Sequence, residues 1–357
     1  MIPLAIDGIG PVGAFGAGMD EWLAALKGER KVEPEWMKIK NDCGIYQLPV
    51  FRSATKNLTQ FCKSRELRRF DHFSKMALLG ACLACENSDR ELIGERTGLI
   101  VASAYGASAT TFSFLDSVIE DGDVLASPTL FSNSVHNAAA AHIAKHLKIT
   151  GPNLSLTQGR LSVPMALLSA AQWLAEERVD TVLCGVVDEY CGVLGYCWQA
   201  YLNRKKTATG ENRDHKKLCG PGEGALFFQL SRSQDANALY GFLEEIVPNS
   251  ATISNATPFI STPDPWGKNF PPEEHQSGRH LPIDLSQICG LAPTSSAFDL
   301  AAAATMLRDQ TLYLDDPVKG PLHLPFSGSG ISCRQADFTT SQKPLTGNCY
   351  WITNCLR

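Results

Sequence analysis

Residues 151–172, GPNLSLTQGRLSVPMALLSAAQ, contain the turn on which the assignment of the fold depends. The first part alternates like a strand, Gln158 and a glycine interrupt it, and the second part has the apolar spacing of a helix. Elbows that join a strand to a helix often present a nucleophile, because the helix N-terminus favours a developing negative charge. Here the turn carries Arg160, a residue that is not a nucleophile.

Strands and helices alternate on both sides of this elbow. Buried-type strands are predicted in 98–106, 179–190 and 220–232, with apolar helices between them. This order predicts an α/β architecture with largely buried sheets. Residues 31–64 are expected to be irregular, and 202–220 to form a basic polar loop.

The composition of the chain changes near residue 240. From there the sequence is rich in Pro, Ser and Thr and weakly periodic, before an apolar helix and further strands near the end. We therefore expect two parts, residues 1–240 and residues 241–357.

The overall composition is that of a globular protein. The chain has 357 residues, 44% of them hydrophobic, and a net charge of −5, which does not favour nucleic acid or an anionic membrane as a partner. No apolar run approaches the roughly 20 residues that span a bilayer, and the start lacks a cationic signal segment, so a cytoplasmic protein is expected. The twelve cysteines are scattered, and Cys82 and Cys85 have no second pair at zinc spacing. We expect free thiols and no metal site.

Six segments together resemble the β-ketoacyl synthases, which join acyl chains on acyl carrier proteins. In chain order within residues 1–232 they are IDGIGPVGAFG, RRFDHFSKMAL, GLIVASAYGA, FSNSVHNAAAAHIAKHLKITGPN, VDTVLCGVVDE and PGEGALFFQLSR. The resemblance implies a thiolase-like fold, five-layered α-β-α-β-α from two similar halves, in obligate dimers. The second half is shortened by comparison.

The catalytic cysteine that the resemblance implies is missing. The family pattern places it nine residues after the glycine of GPN and twenty residues before the aspartate of the next strand. Counted from Gly151 and from Asp180, both spacings end at Arg160. Gln158 is the alternative, because related inactive subunits often carry glutamine there, but it requires a two-residue gap. With Pro164 just behind it, Ser162 is interpreted as belonging to the N-cap and first turn of the following helix, and a catalytic serine is the alternative.

The two histidines of the family mechanism are missing as well. Their segments fall near SNATPFIST, at Ala256 or Thr257, and near ICGLAPTSSAFDL, at Leu291 or Ala292. Histidines elsewhere are interpreted as loop, surface or interface residues and not as metal ligands: His136, His142, His146, His275 and His280. We therefore assign no catalytic residue to this chain.

A synthase-like chain without the cysteine and the two histidines resembles the chain length factor, or ketosynthase β-subunit, of type II polyketide and aryl polyene synthases. The resemblance implies a heterodimer with a catalytic ketosynthase, a tunnel at the seam, and no directly bound cofactor. The phosphopantetheine arm of an acyl carrier protein enters through the partner subunit. The positions that the resemblance gives to the tunnel wall are Ser108, Thr111, Leu115, Leu194 and Tyr196. A weaker carrier-docking cluster is Lys205, Lys206, Arg213, Lys216 and Lys217.

Two other functions stay open at this point. One is an initiation subunit that decarboxylates malonyl carrier protein, with Gln158 as a polar stabiliser. The other is a stand-alone acyl-binding pseudoenzyme that forms a homodimer. Sizing of the purified chain and a carbon dioxide assay separate these from the chain length factor.

Overall fold

The structure is a computed structural model, and it describes residues 1–41, 44–209, 220–232, 238–248, 259–261, 285–316, 320–325, 330–334 and 348–353. Its strands are β1 (Leu4–Gly13), β2 (Gly16–Ala17), β3 (Glu35–Asn41), β4 (Gly44–Val50), β5 (Thr97–Ser103), β6 (Asn153–Thr157), β7 (Thr181–Asp188), β8 (Gly224–Arg232), β9 (Phe242–Pro248), β10 (Phe259–Ser261), β11 (Thr311–Asp316), β12 (Gly320–Pro325), β13 (Gly330–Arg334) and β14 (Asn348–Thr353).

The helices follow the same chain order. They are α1 (Met19–Leu26), α2 (Ser64–Leu67), α3 (His72–Glu86), α4 (Ser108–Asp121), α5 (Pro128–Ser134), α6 (Ala138–Leu147), α7 (Ser162–Ala175), α8 (Gly192–Thr209), α9 (Ser286–Cys289) and α10 (Ser296–Asp309). Short 3-10 turns lie at Lys56–Gln60, Gly94–Arg96 and Gly159–Leu161.

Strands β3 with β4 and β11 with β12 form separate two-stranded sheets, and a 10-stranded sheet has two connected regions. The first has the order β6-β5-β7-β8-β1, with β5 parallel to β6 and β7, and β8 antiparallel to both of its neighbours. The second has the order β9-β14-β13-β10. Only two residue pairs of β1 and β9 join them, Leu4 with Leu243 and Ala5 with Phe242. Strand β6 is therefore an edge strand among the described strands.

Two apolar layers cover the first sheet. On one face α3 and α6 bury Leu79 and Ile143 against Phe227. On the other face α7 and α10 share one core, in which the alanines of α10 are fully buried and permit close packing. Because α10 also packs on β13 and β14, α7 and α10 lie between the two sheet regions. This arrangement supplies the helix, sheet, helix and sheet layers of the predicted architecture.

Two local predictions are wrong. Residues 31–64 contain the antiparallel hairpin of β3 and β4, which is stabilised by burial of Ile39 and Leu48 against Tyr190 and Trp198. Residues 202–209 continue α8 as a helix and do not form a loop. The proposed boundary at residue 240 falls between β8 and β9 and stays a prediction. Within the described part of the chain, no helix is sufficiently long and apolar to cross a membrane.

Candidate functional site

The elbow has the strand–turn–helix geometry that its sequence predicts. Strand β6 ends at Thr157, and the chain then passes through Gln158 and Gly159 before α7 begins at Ser162. The turn needs a left-handed backbone at Gly159, with φ of 57°, which glycine adopts at little cost. The N-terminus of α7 therefore lies at the same edge of the sheet as the ends of β5 and β7.

Ser162 has a structural role at this elbow. It is the first residue of α7, in the predicted first helical turn, while Leu161 occupies the N-cap position, and its side chain is completely buried. Its hydroxyl donates to the carbonyl oxygen of Ser103 at 2.7 Å and accepts the backbone N–H of Gln158 at 2.8 Å. Both hydrogen bonds hold the turn against β5. A hydroxyl used in this way is not presented to a substrate.

The positively charged side chain of Arg160 lies partly buried beside Tyr105. Burial raises the pKa of Tyr105 and the charge of Asp188 adds to this, whereas the Arg160 guanidinium opposes it. Gln158 is exposed. The cysteines whose side chains the structure describes all lie outside the elbow: Cys62, Cys82, Cys85, Cys184, Cys191, Cys197 and Cys289.

A cavity of about 90 Å³ lies near the elbow, between the segments that follow β5 and β7 and the segment before α10. Its wall is mainly apolar and is formed by Tyr105, Asp188, Glu189, Tyr190, Leu194, Cys197, Trp198, Pro221, Gly222, Leu291, Ala292 and Pro293. The wall thus includes Leu291 and Ala292, the positions to which the resemblance assigns one of the family histidines. Neither side chain can transfer a proton.

Asp188 at the end of β7 connects three segments of the cavity wall. Its Oδ1 accepts the Ser103 hydroxyl and the Ala104 N–H, both at 2.8 Å, and its Oδ2 accepts the Thr294 hydroxyl at 2.7 Å. Burial raises the pKa of this carboxyl, and these hydrogen bonds oppose the increase. Each oxygen is occupied, so Asp188 supports the fold.

Glu223 is the centre of a second buried network. One oxygen accepts the Ser53 N–H at 2.9 Å and contacts His72 Nε2 at 2.9 Å and Arg52 Nε at 3.3 Å. The other accepts the Tyr190 N–H at 3.0 Å. Burial acts to raise the pKa of Glu223, but the hydrogen bonds and the nearby cations outweigh burial and hold it below its ordinary value.

Glu189 is a buried carboxyl with far fewer partners. It accepts the N–H of Ala109 in the first turn of α4 at 2.7 Å. Burial raises the pKa of Glu189 to about 8, and the charges of Asp71 and Glu223 add to the increase, while Arg52 opposes it. The group is therefore mostly protonated at neutral pH.

The five predicted tunnel residues do not converge on this cavity. Leu194 lines it, whereas Leu115 and Tyr196 are 44% and 43% exposed. The Ser108 hydroxyl donates to the carbonyl oxygen of Tyr105 at 3.2 Å, and the Thr111 hydroxyl to that of Ala107 at 2.9 Å. Their roles stay predictions.

The predicted docking cluster and several histidine positions lie largely beyond what the structure describes. Lys205 and Lys206 belong to α8, but the described side chains do not include theirs. Outside the described residues lie Arg213, Lys216, Lys217, Ala256, Thr257, His275 and His280.

The histidines of α6 have aromatic and polar neighbours. His142 stacks on Phe70 with 3.9 Å between ring centroids, and its Nε2 lies 3.2 Å from the Asn133 side-chain oxygen. Burial lowers the pKa of His142. His146 Nδ1 lies 3.4 Å from Cys62 Sγ. The described residues contain no group of three potential metal ligands.

Sequence reasoning missed the cavity wall and its acidic network. The network joins parts of the chain that are distant in sequence and meet only on folding: Arg52, His72, Glu189 with Tyr190, and Glu223. The one local signal was the acidic pair at the end of a buried strand, followed by a tyrosine.

Comparisons with known proteins give one matching family model and several solved structures of similar fold. The N-terminal domain of β-ketoacyl synthases matches residues 51–209. A β-ketoacyl synthase from Burkholderia phymatum STM815 superposes with a TM-score of 0.72 at 14% identity, over 99% of this chain and 100% of that one. The ishigamide ketosynthase/chain length factor gives 0.68 at 15% identity, over 99% of both chains.

A third similar structure is AntDE:AntF, described as a type II polyketide synthase acyl carrier protein in complex with its ketosynthase bound to the hexaketide. It gives a TM-score of 0.68 at 14% identity and covers 99% of both chains. A search of curated proteins found no match. At these identities the structural matches confirm the thiolase-like fold.

Proposed function

We propose that this chain, whose residues 51–209 match the N-terminal domain of β-ketoacyl synthases, is a non-catalytic chain length factor. In this role it pairs with a catalytic ketosynthase and shapes the tunnel for a polyketide or polyene chain carried by an acyl carrier protein. It binds no cofactor directly, and the phosphopantetheine arm enters through the partner.

The observation that carries the proposal is the side chain at the elbow. A guanidinium is permanently cationic and is not a nucleophile, so Arg160 cannot attack a thioester. The neighbouring Ser162 is fully buried and uses its hydroxyl in two hydrogen bonds. Because the described helix N-terminus offers no nucleophile, we assign covalent acyl transfer to the partner subunit.

Exposed apolar side chains support a partner subunit. Helices α4 and α5 pack against each other, and Leu161, just before α7, is exposed at helical spacing with Met165 and Leu168 of α7. The large apolar residues exposed on α4, on α5, on their connection and at the start of α7 are Phe112, Leu115, Ile119, Val124, Leu125, Phe131, Leu161, Met165 and Leu168. Monomers rarely leave so much apolar surface uncovered. The edge strand β6 offers unpaired backbone groups for the same association.

A cationic surface supports a role for the carrier protein. Five exposed basic side chains precede α3, and none forms an ion pair with a described residue: Lys56, Lys63, Arg65, Arg68 and Arg69. The chain as a whole is acidic, so this basic patch is local. Such a patch attracts an acidic partner by long-range electrostatics.

Reconstitution tests the proposal. The chain is purified alone and after co-expression with a cysteine-bearing ketosynthase, and both preparations are analysed by size and for condensation activity. We expect a stable heterodimer whose activity depends on the partner's cysteine, and an inactive chain on its own. Condensation or decarboxylation by the isolated chain, or a stable homodimer that ignores the partner, would contradict the proposal.

Product analysis tests the predicted tunnel positions. Thr111→Trp or Leu115→Trp adds a large side chain where the resemblance places the tunnel wall, and a filled tunnel shortens the product. The control is Ile93→Trp, at an exposed position that lies outside both the tunnel residues and the proposed partner surface. Products of unchanged length from both tunnel variants, in an intact heterodimer, would remove these residues from the wall.

A further inference from the structure

We propose that the acidic end of α4 selects the partner of this chain by charge: it favours a ketosynthase that presents basic side chains and disfavours a second copy of this chain. The proposal rests on the proposed function and names the chemistry of the partner surface. It is carried by a group of unpaired carboxylates that lies within the exposed apolar surface.

The segment from the turn after β5 to the end of α5 carries charge of one sign. Residues 106–135 contain four acidic residues and no lysine, arginine or histidine. All four are exposed, and none forms an ion pair with a described residue: Asp116, Glu120, Asp121 and Asp123. We call residues 116–125 the acidic tip. Its charges are available to a partner.

The carboxylates at the end of α4 do not stabilise the helix. Glu120 and Asp121 are its last two residues, and its last turn has no basic side chain. Negative charge at a helix C-terminus opposes the helix dipole and is unfavourable. Among the residues that the structure describes, no group of three potential metal ligands occurs, so these carboxylates do not form a metal site. A partner with positive charge would offset their cost.

The carboxylates lie beside exposed apolar side chains of the same helix. Phe112, Leu115 and Ile119 are exposed at helical spacing, and Ile119 is 80% exposed. Asp116 and Glu120 follow Phe112 at intervals of four residues, so an acidic stripe runs along the apolar one. A partner surface that fits α4 is therefore apolar with basic side chains beside it.

A symmetric homodimer through this surface would bring like charges together. In a two-fold dimer both copies use the same patch. In residues 106–135 and 158–168, which supply the exposed apolar surface, Arg160 is the single basic residue. Two copies would contribute twice the four carboxylates and only two guanidiniums. Because like charges in one interface are unfavourable, the surface disfavours a second copy and favours a partner of opposite charge.

Other acidic partners are disfavoured for the same reason. An acidic carrier protein is repelled by the acidic tip and attracted by the separate basic patch before α3. An anionic membrane surface is repelled by the tip as well. The two charged surfaces of the chain therefore fit different partners, and the acidic tip fits the basic one.

Charge reversal in the full chain tests the acidic tip. The tip variant carries Glu120→Lys, Asp121→Lys and Asp123→Lys. The matched control changes the charge equally at exposed residues at the end of α3 and after it: Glu86→Lys, Asp89→Lys and Glu91→Lys. Circular dichroism verifies that both variants fold. Their dissociation constants with a catalytic ketosynthase are measured at about 50 mM and about 500 mM NaCl.

We expect the tip variant to raise the dissociation constant of the heterodimer by about tenfold or more at low salt. The effect should be much smaller at high salt, because salt screens exposed charges. The control should change the dissociation constant by less than about twofold. A neutral variant with Glu120→Gln, Asp121→Asn and Asp123→Asn keeps the shape of the tip and should weaken the heterodimer less than charge reversal does.

A mixture of the parent chain and the tip variant tests the tip without a ketosynthase. The two chains then present tips of opposite charge. In sedimentation velocity the mixture should associate at a concentration about tenfold lower than either chain alone. A mixture of the parent and the control variant should behave like the parent.

Equal dissociation constants for the folded parent and the folded tip variant would overturn the proposal, as would a control variant that weakens the heterodimer as much. A parent chain that pairs with the ketosynthase in this way refutes the charge selection and leaves the proposed function standing. If the parent pairs with no ketosynthase, the proposed function fails, and the mixture then decides: association no stronger than that of the separate chains refutes the charge selection too.

Discussion

The elbow at α7 and the buried carboxyl network beside it differ sharply in how their polar groups are used. Asp188 and Glu223 together accept hydrogen bonds from five segments of the chain, with every carboxyl oxygen occupied. At the elbow, a cation stands where the resemblance implies a thiolate. The polar contacts that hold the strand ends together are therefore present, whereas the described elbow carries no nucleophile.

This difference predicts that the stability of the fold depends more on the carboxyl network than on the side chains at positions 158 and 160. Substitutions in the network should mainly change stability, and substitutions of Gln158 or Arg160 should change it little. Substitutions with progressively smaller expected effects on stability test this separation.

Glu223→Ala should have the largest effect. It removes the acceptor of the Ser53 and Tyr190 N–H groups and leaves Arg52 and His72 without their carboxylate. Breaking such a buried network costs about 3–5 kcal/mol. Chemical denaturation measures the loss. A loss below about 1 kcal/mol, the ordinary value for an exposed ion pair, would show that the network is not structural.

Glu189 should give stability an unusual pH dependence. Its pKa rises from 4.5 to about 8 on folding, so the folded chain binds a proton that the unfolded chain has released between these values. Its contribution to the free energy of unfolding is complete below pH 4.5 and is lost as pH rises toward 8. Glu189→Gln should remove this slope and stabilise the chain at pH 8 by on the order of a few kcal/mol.

Chemical denaturation at pH 5, 6.5 and 8 measures the free energy of unfolding of the parent chain and of Glu189→Gln. Glu176→Gln, an exposed position at the end of α7, is the matched control and should keep the slope of the parent chain. An identical pH profile in Glu189→Gln and the parent would mean that Glu189 is ionised in the folded state.

Ser162→Ala should have an intermediate effect. It removes the hydrogen bonds to Ser103 and Gln158 and should cost about 1–2 kcal/mol in thermal or chemical denaturation. The ability of the heterodimer to condense acyl units should persist once the protein is folded. Loss of activity without loss of stability would show that Ser162 takes part in the reaction and that its role at the elbow is not only structural.

Arg160→Ala should have the smallest effect. Arg160 is only partly buried, and such substitutions usually change stability by less than about 1 kcal/mol. The same holds for Gln158→Ala, at an exposed position. A loss as large as that expected for Glu223→Ala would show that the elbow residue was retained to hold the fold.

The sequence predicted the elements with strong periodicity. The elbow, the buried strands β5, β7 and β8, and the helix α10 all lie where the apolar patterns place them. The hairpin of β3 and β4 was missed, because its alternation of apolar and polar residues is short. Its buried side chains also pack against residues far away in sequence, Tyr190 and Trp198.

The cavity was beyond the reach of sequence reasoning for a similar reason. Glu189 and Tyr190 lie at the end of a predicted strand. Nothing in the local sequence shows that the Asp188 carboxyl accepts several hydrogen bonds, whereas the Glu189 carboxyl accepts one. That difference depends on Ser103, Thr294 and Ala109, which are brought together by the fold. Arg160 could be identified because the family resemblance supplies two spacings, and both are counted from residues close to Arg160 in sequence.

Intact-mass spectrometry of both subunits determines which subunit carries the acyl group. The chain, alone and with a catalytic ketosynthase, is incubated with an acyl donor and denatured without reduction, and the mass of each subunit is measured. We expect an acyl adduct on the partner's cysteine and an unmodified mass for this chain in both samples. A stoichiometric acyl adduct on this chain when it is alone, mapped to any residue, would contradict the proposal that it is non-catalytic.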